Sequence, residues 1–424
     1  MENPKIRFKG FTKDWEQRKL GDLVNRITRK NQDLVSELPL TISAQYGLID
    51  QNEFFDKRVA SKDVSSYYLI ENGEFAYNKS TSTDAPWGAI KRLDRYENGV
   101  LSTLYIVFGI KENNLVDSDF LVSYYSTNLW HKGIHEIAAE GARNHGLLNI
   151  APANFFETEL MIPQDIEEQK KIGKYFEELD HLITLHQRKC EQTKKLKKYM
   201  LQKMFPQNGA KVSEIRFDGF TYDWEQRKLG EVLISLQNNT LSRADLSNET
   251  GIAKNVHYGD VLIKFGDVLN VSREQLPMIK DEMILDKYKA SFLQNGDVII
   301  ADTAEDTTVG KCSEIAGLRD EVVLSGLHTI PYRPVEKFAT GYLGYYLNSD
   351  AYHDQLIPLM QGIKVTSISK SAMKDTDIVY PKSTEEQAMI GSYFQSLDHL
   401  ITLHQRKCDE LKKMKKYMLQ NMFI

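Results

Sequence analysis

The sequence is poor in cysteine and has no long hydrophobic run. Its three cysteines, Cys190, Cys312 and Cys408, form no C-x-x-C pair, which excludes a secreted disulfide framework and gives no sign of zinc or redox chemistry. We therefore expect buried thiols. No apolar stretch approaches the roughly 18 residues of a membrane-spanning helix, and the first residues lack the apolar segment of a signal peptide. These absences predict a cytoplasmic protein with no membrane partner.

The motifs of several catalytic families are also missing. The sequence has no G-x-x-x-x-G-K-[ST] phosphate loop and no G-x-G-x-x-G motif, so we expect no nucleotide hydrolysis by those routes. It has no Pro-Pro pair, whereas an adenine N-methyltransferase is expected to hold its flipped base with an Asn/Asp-Pro-Pro-aromatic loop. We therefore predict a chain with no catalytic site, no metal site and no cofactor of its own.

Acidic residues slightly outnumber basic ones, which gives a net charge of −5 and a pI near 6.1. This balance alone disfavours a nucleic-acid partner. The basic residues are unevenly distributed, however, with clusters in the ranges 5–30, 194–198 and 412–416. These clusters are compatible both with a locally positive surface and with ordinary solvated faces of helices and loops.

The chain contains two copies of one unit. Residues 6–21 return almost unchanged as residues 215–230, and residues 167–205 recur as residues 385–423. The sequences between these markers have diverged strongly. Constant ends around variable centres are expected when the constant parts assemble with a partner and the variable parts recognise different ligands. Uneven drift after a duplication would explain the repeat, but not why only the centres changed.

Each half closes with the pattern of a long helix. Capping signals open the two segments, at Asp165-x-x-Glu168 and Thr384-x-x-Gln387. Apolar positions then follow at intervals of four and three residues, which is typical of a coiled-coil seam. The central seam positions are Leu179, Ile183 and His186 in the first copy and Leu397, Ile401 and His404 in the second.

Two kinds of repeated residue suggest ligand sites but have a simpler interpretation. His181 and His186 are five positions apart, which turns their side chains about 140° from each other on a helix, so they cannot share a metal ion as i, i+4 histidines do. We expect His186 to pack in the seam. Trp15 and Trp224 could stack on bases, but duplicated aromatic residues more often anchor a core.

The fold class predicted is mixed α/β. The variable centres contain strand signals separated by Gly and Asn turns, together with short helical segments. We predict two tandem globular domains, residues 1–163 and 206–381, each followed by a long helix, residues 164–205 and 382–424. Because the helices are copies, they are well suited to lie against each other.

Polar loops in the variable centres are the candidate DNA-binding sites. Their hydroxyl, amide and basic side chains are of the kinds that contact phosphates and base edges. Each loop alone resembles an ordinary solvated loop, but loops of this kind recur at matched places in both halves. The candidate residues are Asn78, Lys79, Ser80, Thr81, Ser82, Thr83, Arg143 and Asn144 in the first half, and Thr303, Thr307, Thr308, Lys311, Lys364, Thr366 and Ser367 in the second.

The motifs that open and close each half resemble those of a known family. Trp-x-x-x-x-Leu-Gly opens each half at Trp15 and Trp224, and a proline followed by Glu-Glu-Gln closes it at residues 163–169 and 381–387. In this order, over the whole chain, the duplicated set resembles the specificity subunits of type I restriction-modification enzymes.

The resemblance implies two target-recognition domains, related by a pseudo-twofold repeat and separated by an antiparallel coiled coil of the two long helices. Each domain would read one half of a bipartite, asymmetric site in double-stranded DNA. The subunit itself would be non-catalytic. Two modification subunits would methylate adenine with S-adenosylmethionine, and restriction subunits would use ATP and Mg to translocate and cleave DNA. The constant helices, including the six seam positions, would form the docking surface for the modification subunits.

Two other interpretations remain open at this point. The chain could be a coiled-coil scaffold that binds only protein partners, in which case exchanging the loop at residues 78–83 would change no activity. It could also be an enzyme in its own right, which would require a catalytic constellation that the sequence does not display.

Overall fold

The computed structural model describes residues 3–43, 46–83, 85–112, 115–138, 143–144, 146–207 and 209–424, with the backbone alone described at 143–144. The chain divides into two compact units. The first unit comprises Met1–His186 and Arg406–Ile424, and the second comprises Gln187–Gln405. Each unit therefore contains one globular domain together with segments of both long helices.

The first unit combines short strands and short helices with the beginning of a long helix. Its strands are β1 (Trp15–Lys19), β2 (Val24–Ile27), β3 (Leu40–Ser43), β4 (Gly47–Asp50), β5 (Tyr68–Glu71), β6 (Phe75–Asn78), β7 (Ala89–Arg92), β8 (Asn98–Leu101), β9 (Ile106–Ile110), β10 (Arg143–Asn144), β11 (Leu147–Leu148) and β12 (Glu159–Pro163). Its helices are α1 (Leu20–Leu23), α2 (Gln51–Phe55), α3 (Ser118–Tyr124), α4 (Trp130–Ile137), α5 (Pro152–Phe156) and the first part of α6 (Ile166–Met204).

An antiparallel sheet with the strand order β2-β9-β6-β7 forms the centre of the first unit. Strand β6 is buried on both faces. Its alternate residues Phe75 and Tyr77 belong to one hydrophobic cluster, and Ala76 belongs to a second cluster on the other face. Tyr77 stacks on Phe155 with ring centroids 5.0 Å apart. The loop that follows β6 therefore begins at a strand whose position is fixed by packing on both faces.

The second unit has the same kinds of elements. Its strands are β13 (Glu225–Lys228), β14 (Leu233–Ser235), β15 (Ala253–Val256), β16 (Val268–Asn270), β17 (Met278–Ile279), β18 (Val298–Ala301), β19 (Thr303–Ala304), β20 (Cys312–Ala316), β21 (Val323–Ser325), β22 (Thr329–Pro334), β23 (Thr366–Ser367) and β24 (Asp377–Tyr380). Its helices are α7 (Leu229–Val232), α8 (Tyr258–Ile263), α9 (Glu282–Tyr288), α10 (Tyr342–Leu347), α11 (Asp350–His353), α12 (Lys370–Lys374) and most of α13 (Thr384–Asn421), with 3-10 turns at Arg243–Asp245, Lys289–Ser291 and Ile357–Leu359.

The central sheet of the second unit repeats that of the first. Its order is β14-β22-β18-β20-β16, so the first four strands match β2-β9-β6-β7, and β16 is an addition that runs parallel to β20. Strand β18 is again buried on both faces, with Val298 and Ile300 in one cluster and Ile299 and Ala301 in another. The outer pair β13-β24 matches β1-β12. The mixed α/β duplicated fold predicted from the sequence is confirmed.

The segments of the two long helices run antiparallel within each unit. In the first unit, Phe176 of α6 contacts Phe423, and four residues further on Asp180 forms an ion pair with Lys415 of α13 at 2.6 Å. In the second unit, Lys197 lies 2.5 Å from Asp398, and Phe205 stacks on Phe394. Each step forward along α6 is thus a step backward along α13, as an antiparallel coiled coil requires.

The helix caps agree only partly with the sequence pattern. The Asp165 carboxylate accepts the backbone N–H of Glu167 at 2.9 Å, which is the expected capping role at the start of α6. In α13 the predicted cap, Thr384, is already the first helical residue. The Oγ of Ser383 accepts the backbone N–H of Glu386 instead, at 3.3 Å. The prediction was therefore wrong by one residue at this helix.

The repeated Glu-Gln pair fixes the start of α6 to its domain. The buried Glu168 carboxylate accepts two hydrogen bonds from the Arg7 guanidinium, at 2.6 and 2.8 Å. The Gln169 amide donates to the Pro163 carbonyl at 2.8 Å and accepts the Asp117 backbone N–H at 2.8 Å. Because buried polar groups must find partners, this pair fixes the direction in which the helix leaves the globular domain.

The second copy of the pair makes the corresponding contacts in the second unit, with one hydrogen bond more. Glu386 accepts two hydrogen bonds from Arg216, at 2.6 and 2.9 Å, and a third from the Trp224 indole N–H at 3.2 Å. Gln387 donates to the Pro381 carbonyl and accepts the Ala339 backbone N–H. The motif that marks each closing segment is therefore structural.

Repeated aromatic and cysteine residues are also structural. Trp15 and Trp224 are buried in the cores of their units, as the core interpretation predicts, and do not offer stacking platforms for bases. Cys190, Cys312 and Cys408 are free and buried, so the expectation of buried thiols is confirmed.

Candidate nucleic-acid interface

The two candidate loops of the first unit lie together. The Leu148 backbone N–H donates to the Lys79 carbonyl at 2.9 Å, and Ser80 pairs with Leu147. Thr81 donates to the Gly146 carbonyl through both its backbone N–H and its hydroxyl, at 2.7 and 3.1 Å. Residues 78–83, 143–144 and 146–148, which we name the first loop pair, thus form one surface at the end of β6.

The side chains of the first loop pair have mixed environments. Asn78 accepts the Ser80 backbone N–H at 3.0 Å, and Ser82 Oγ accepts the Ala85 N–H at 3.1 Å, so both stabilise turns. Burial lowers the pKa of the Lys79 ammonium. Ser80, Ser82 and Thr83 are exposed. The candidates Arg143 and Asn144 form β10, but their side chains lie outside the described residues, as do Asp84, residues 139–142 and His145.

The candidate loops of the second unit also meet. Strand β19 pairs with β23, with Thr303 opposite Ser367 and Ala304 opposite Thr366. The Ile368 backbone N–H donates to the carbonyl of residue 302 at 2.9 Å. Residues 302–311 and 361–368, which we name the second loop pair, form one surface at the end of β18. This is the position that the first loop pair occupies relative to β6.

Not all candidates in the second loop pair are accessible. The Lys311 ammonium donates to the Leu262 carbonyl at 2.7 Å, and burial lowers its pKa, so this side chain supports the loop from within. Thr308 donates to Asp306 through its backbone N–H and its hydroxyl. Thr307 and Lys364 are exposed. Two backbone hydrogen bonds between residues 361 and 367 close a turn in which the apolar side chain of Ile363 is fully exposed. The hydrophobic pattern of the sequence did not predict this exposure.

Three of the six seam positions predicted to bind a partner are buried within their own units, and for these three the prediction was wrong. Leu179 and Ile183 are buried in the core of the first unit, and Leu397 is buried in that of the second. Side chains packed inside their own unit are not accessible to a partner, because the facing helix segment covers them. Ile401, His186 and His404 are only partly buried.

Exposed apolar side chains lie elsewhere on the helices, at equivalent positions of the repeat. Within the first unit they include Leu182, Met414 and Tyr417, and within the second unit their copies are Leu400, Leu196 and Tyr199. We name these the first and second helix sets. The same three apolar positions of the repeat are therefore exposed in both copies.

The described residues contain neither a candidate metal site nor a candidate membrane-spanning helix. Across the described parts of the chain, no group of three or more His, Cys, Asp or Glu side chains is placed to hold a metal ion. No helix in the same residues combines the length and the apolar character needed to cross a membrane.

Two copies of one frame that present different polar loops define a duplicated recognition protein. The family model described as "Type I restriction modification DNA specificity domain" matches residues 12–195 and again residues 222–413. The chain therefore belongs to the type I restriction-modification DNA specificity family, whose role is the recognition of a DNA sequence.

Two related proteins align with this chain over almost their whole length. The type I restriction enzyme MjaVIII specificity subunit of Methanocaldococcus jannaschii is 25% identical over 96% of this chain and 91% of its own length. The putative MjaX specificity subunit of the same organism is 24% identical over 96% and 92%.

Two solved structures share the fold. The crystal structure of a type I restriction-modification S subunit from M. genitalium is similar over 100% of this chain and 99% of its own, with 12% identity and a TM-score of 0.57. A chain from a structural study of complex assembly and conformational transition of the type I R-M system is similar over 98% and 99%, with 18% identity and a TM-score of 0.50.

Proposed function

We propose that this chain reads a two-part DNA sequence, with one part recognised by each loop pair. The observation that supports this most strongly is that both units bring two distant loops together at the end of the same buried strand, β6 or β18. The frame is constant, whereas the loops differ in sequence. Because donors and acceptors on side chains distinguish base edges, different loops imply two different parts and hence an asymmetric site.

The chemistry in this proposal belongs to partner subunits. Two modification subunits would methylate adenine with S-adenosylmethionine, and restriction subunits would use ATP and Mg to translocate and cleave DNA. Residues 1–163 and 206–381 would be the target-recognition domains, and residues 164–205 and 382–424 the spacer helices. We place the complex in the cytoplasm, with the DNA on which it acts.

We further propose that the helix sets are the docking surfaces for the modification subunits. Each unit presents one set, which suits one modification subunit per unit. The exposed aromatic residue in each set, Tyr417 or Tyr199, is of a type enriched among the residues that contribute most to binding. This replaces the buried seam residues as the proposed contact.

Substituting these tyrosines should remove modification subunits from the complex one at a time. Tyr199→Arg and Tyr417→Arg should each weaken one interface by about tenfold or more, since a charge replaces an apolar contact. Native mass spectrometry of the chain with its modification subunit measures the stoichiometry. Lys195→Gln and Lys413→Gln, at equivalent exposed positions, are the matched controls. A double tyrosine variant that still binds two modification subunits would contradict the docking proposal.

Removing hydroxyls from the first loop pair should change one part of the recognised sequence. Ser80→Ala with Thr83→Ala should lower discrimination at one or more base pairs of a single part by about tenfold, because exposed hydroxyl donors and acceptors are lost. The readout is the N6-methyladenine motif in the genome of a host that carries the chain and its modification subunit. Ser61→Ala with Ser66→Ala, outside the loop pair, is the control. An unchanged motif would favour a scaffold that binds only proteins.

A further inference from the structure

One residue beside the second loop pair has an unusual backbone. His328, in the turn between β21 and β22, has a φ of 55°. Of the described non-glycine residues, only Leu34, Asp56 and His328 have a positive φ. Side chains disfavour this conformation, and it persists where the surroundings impose it, often at functional sites.

Buried hydrogen bonds on both sides impose this turn. The hydroxyls of Ser325 and Thr329 lie 2.6 Å apart, and Thr329 donates to the Gly326 carbonyl at 2.5 Å. The backbone N–H of Asp302 donates to the His328 carbonyl at 3.1 Å. The turn is therefore tied directly to the first residue of the second loop pair.

The His328 ring is held on one side and open on the other. Its Nδ1 lies 3.4 Å from the Asp302 carboxylate and 3.5 Å from the Thr303 hydroxyl. The imidazole ring also packs against the Tyr258 ring in a T-shaped arrangement, with the two ring centroids 5.3 Å apart. The side chain is still 48% exposed. Within the described residues no protein group bonds to Nε2. The ring is thus held by contacts on its Nδ1 side while about half of the side chain is exposed.

The Asp302 carboxylate determines which ring nitrogen of His328 can accept a hydrogen bond from a ligand. The negative charge of the Asp302 carboxylate lies on the Nδ1 side of the ring, which favours the tautomer with its proton on Nδ1 and leaves Nε2 as the acceptor. In the major groove, adenine N6 and cytosine N4 are the donors, whereas guanine and thymine present acceptors. A fixed Nε2 acceptor can therefore select an exocyclic amino group.

We infer that His328 reads one base pair in the half of the DNA site that the second unit recognises. It would do so by accepting a hydrogen bond from the amino group of adenine or cytosine. This inference rests on the proposed DNA-reading function and adds a specific contact to it. Asp302 is a positioning residue, because it acts through the orientation and tautomer of the ring. Neither residue was a candidate from the sequence, although Asp302 adjoins the candidate Thr303.

The test maps the methylated motif of the full complex with two substitutions. His328→Gly keeps the backbone conformation and removes the ring. The preference for the correct base at one position, in the half of the DNA site read by the second unit, should therefore fall about tenfold. Asp302→Asn places an amide donor beside Nδ1 and lets Nε2 take the proton. The preferred base at that same position should then change from adenine or cytosine to guanine or thymine. Only a base-reading role predicts this exchange.

Leu34→Gly is the matched control, since it makes the same backbone change at an exposed residue with positive φ in the first unit, and it should leave the motif unchanged. If His328→Gly leaves the motif intact while Ser80→Ala with Thr83→Ala changes it, the His328 inference is overturned and the proposed function stands. Equal weakening at every position would also overturn it, in favour of a phosphate contact. If no loop variant changes the motif, the proposed function itself fails.

Discussion

Replacing Glu386 by Gln should lower the free energy of unfolding by about 3–5 kcal/mol, because it removes the buried counter-charge of Arg216. The Glu386 side chain is only 1% exposed and accepts hydrogen bonds from both Arg216 and Trp224. Urea denaturation followed by tryptophan fluorescence measures the change. Glu168→Gln should have a comparable effect through Arg7 in the first unit.

The neighbouring Glu385 provides the control, because it is exposed. Glu385→Gln should change the free energy of unfolding by less than about 0.5 kcal/mol. If Glu386→Gln were as stable as this control, the buried ion pair would not be what fixes the start of α13. A large loss for Glu386→Gln and none for Glu168→Gln would contradict the equivalence of the two units.

Replacing Phe423 by Ala should destabilise the first unit by about 3–5 kcal/mol, the usual cost of deleting a buried ring. Phe423 is near the C-terminal end of the chain, yet its ring packs against three aromatic rings of the first unit. The distances between ring centroids are 6.2 Å to Trp15, 5.5 Å to Phe120 and 5.8 Å to Phe176. The nearby backbone also bonds the N-terminal segment, where the Ile6 N–H donates to the Asn421 carbonyl.

The second unit provides the matched variant for this prediction. Phe205 is the copy of Phe423 and packs on Trp224 and Phe394. Hydrogen exchange should show faster exchange in the first unit for Phe423→Ala and in the second unit for Phe205→Ala. Faster exchange in the second unit alone for Phe423→Ala would show that the end of α13 does not stabilise the first unit.

The duplicated frame was predictable because its signals are local or repeated. Helix α6 was predicted from a cap and a seam spacing, and it forms over Ile166–Met204. The role of the Glu-Gln pair was not predictable, because its partner Arg7 lies 161 residues from Glu168. The cap of α13 differed by one position because Ser and Thr stand side by side at residues 383 and 384, and pattern alone does not choose between them.

The candidate site was predicted in outline and not in detail. Composition identified loops that the structure brings together, but it could not show that the Lys311 ammonium turns inward to the Leu262 carbonyl. Periodicity placed Leu179 on the helix face that meets a partner, and the same periodicity cannot distinguish the chain's own second helix from another subunit. His328 could not be predicted from the sequence, because a left-handed backbone conformation at a non-glycine residue depends on tertiary contacts.

The central claim is that the two units read different parts of one DNA sequence. The most direct measurement maps N6-methyladenine across the genome of a host that carries the full chain and its modification subunit, with substitutions in one loop pair at a time. Ser80→Ala with Thr83→Ala should alter one part of a gapped motif, and Thr307→Ala with Lys364→Ala should alter only the other. If both double variants altered the same part, or if neither altered the motif, the account would be contradicted.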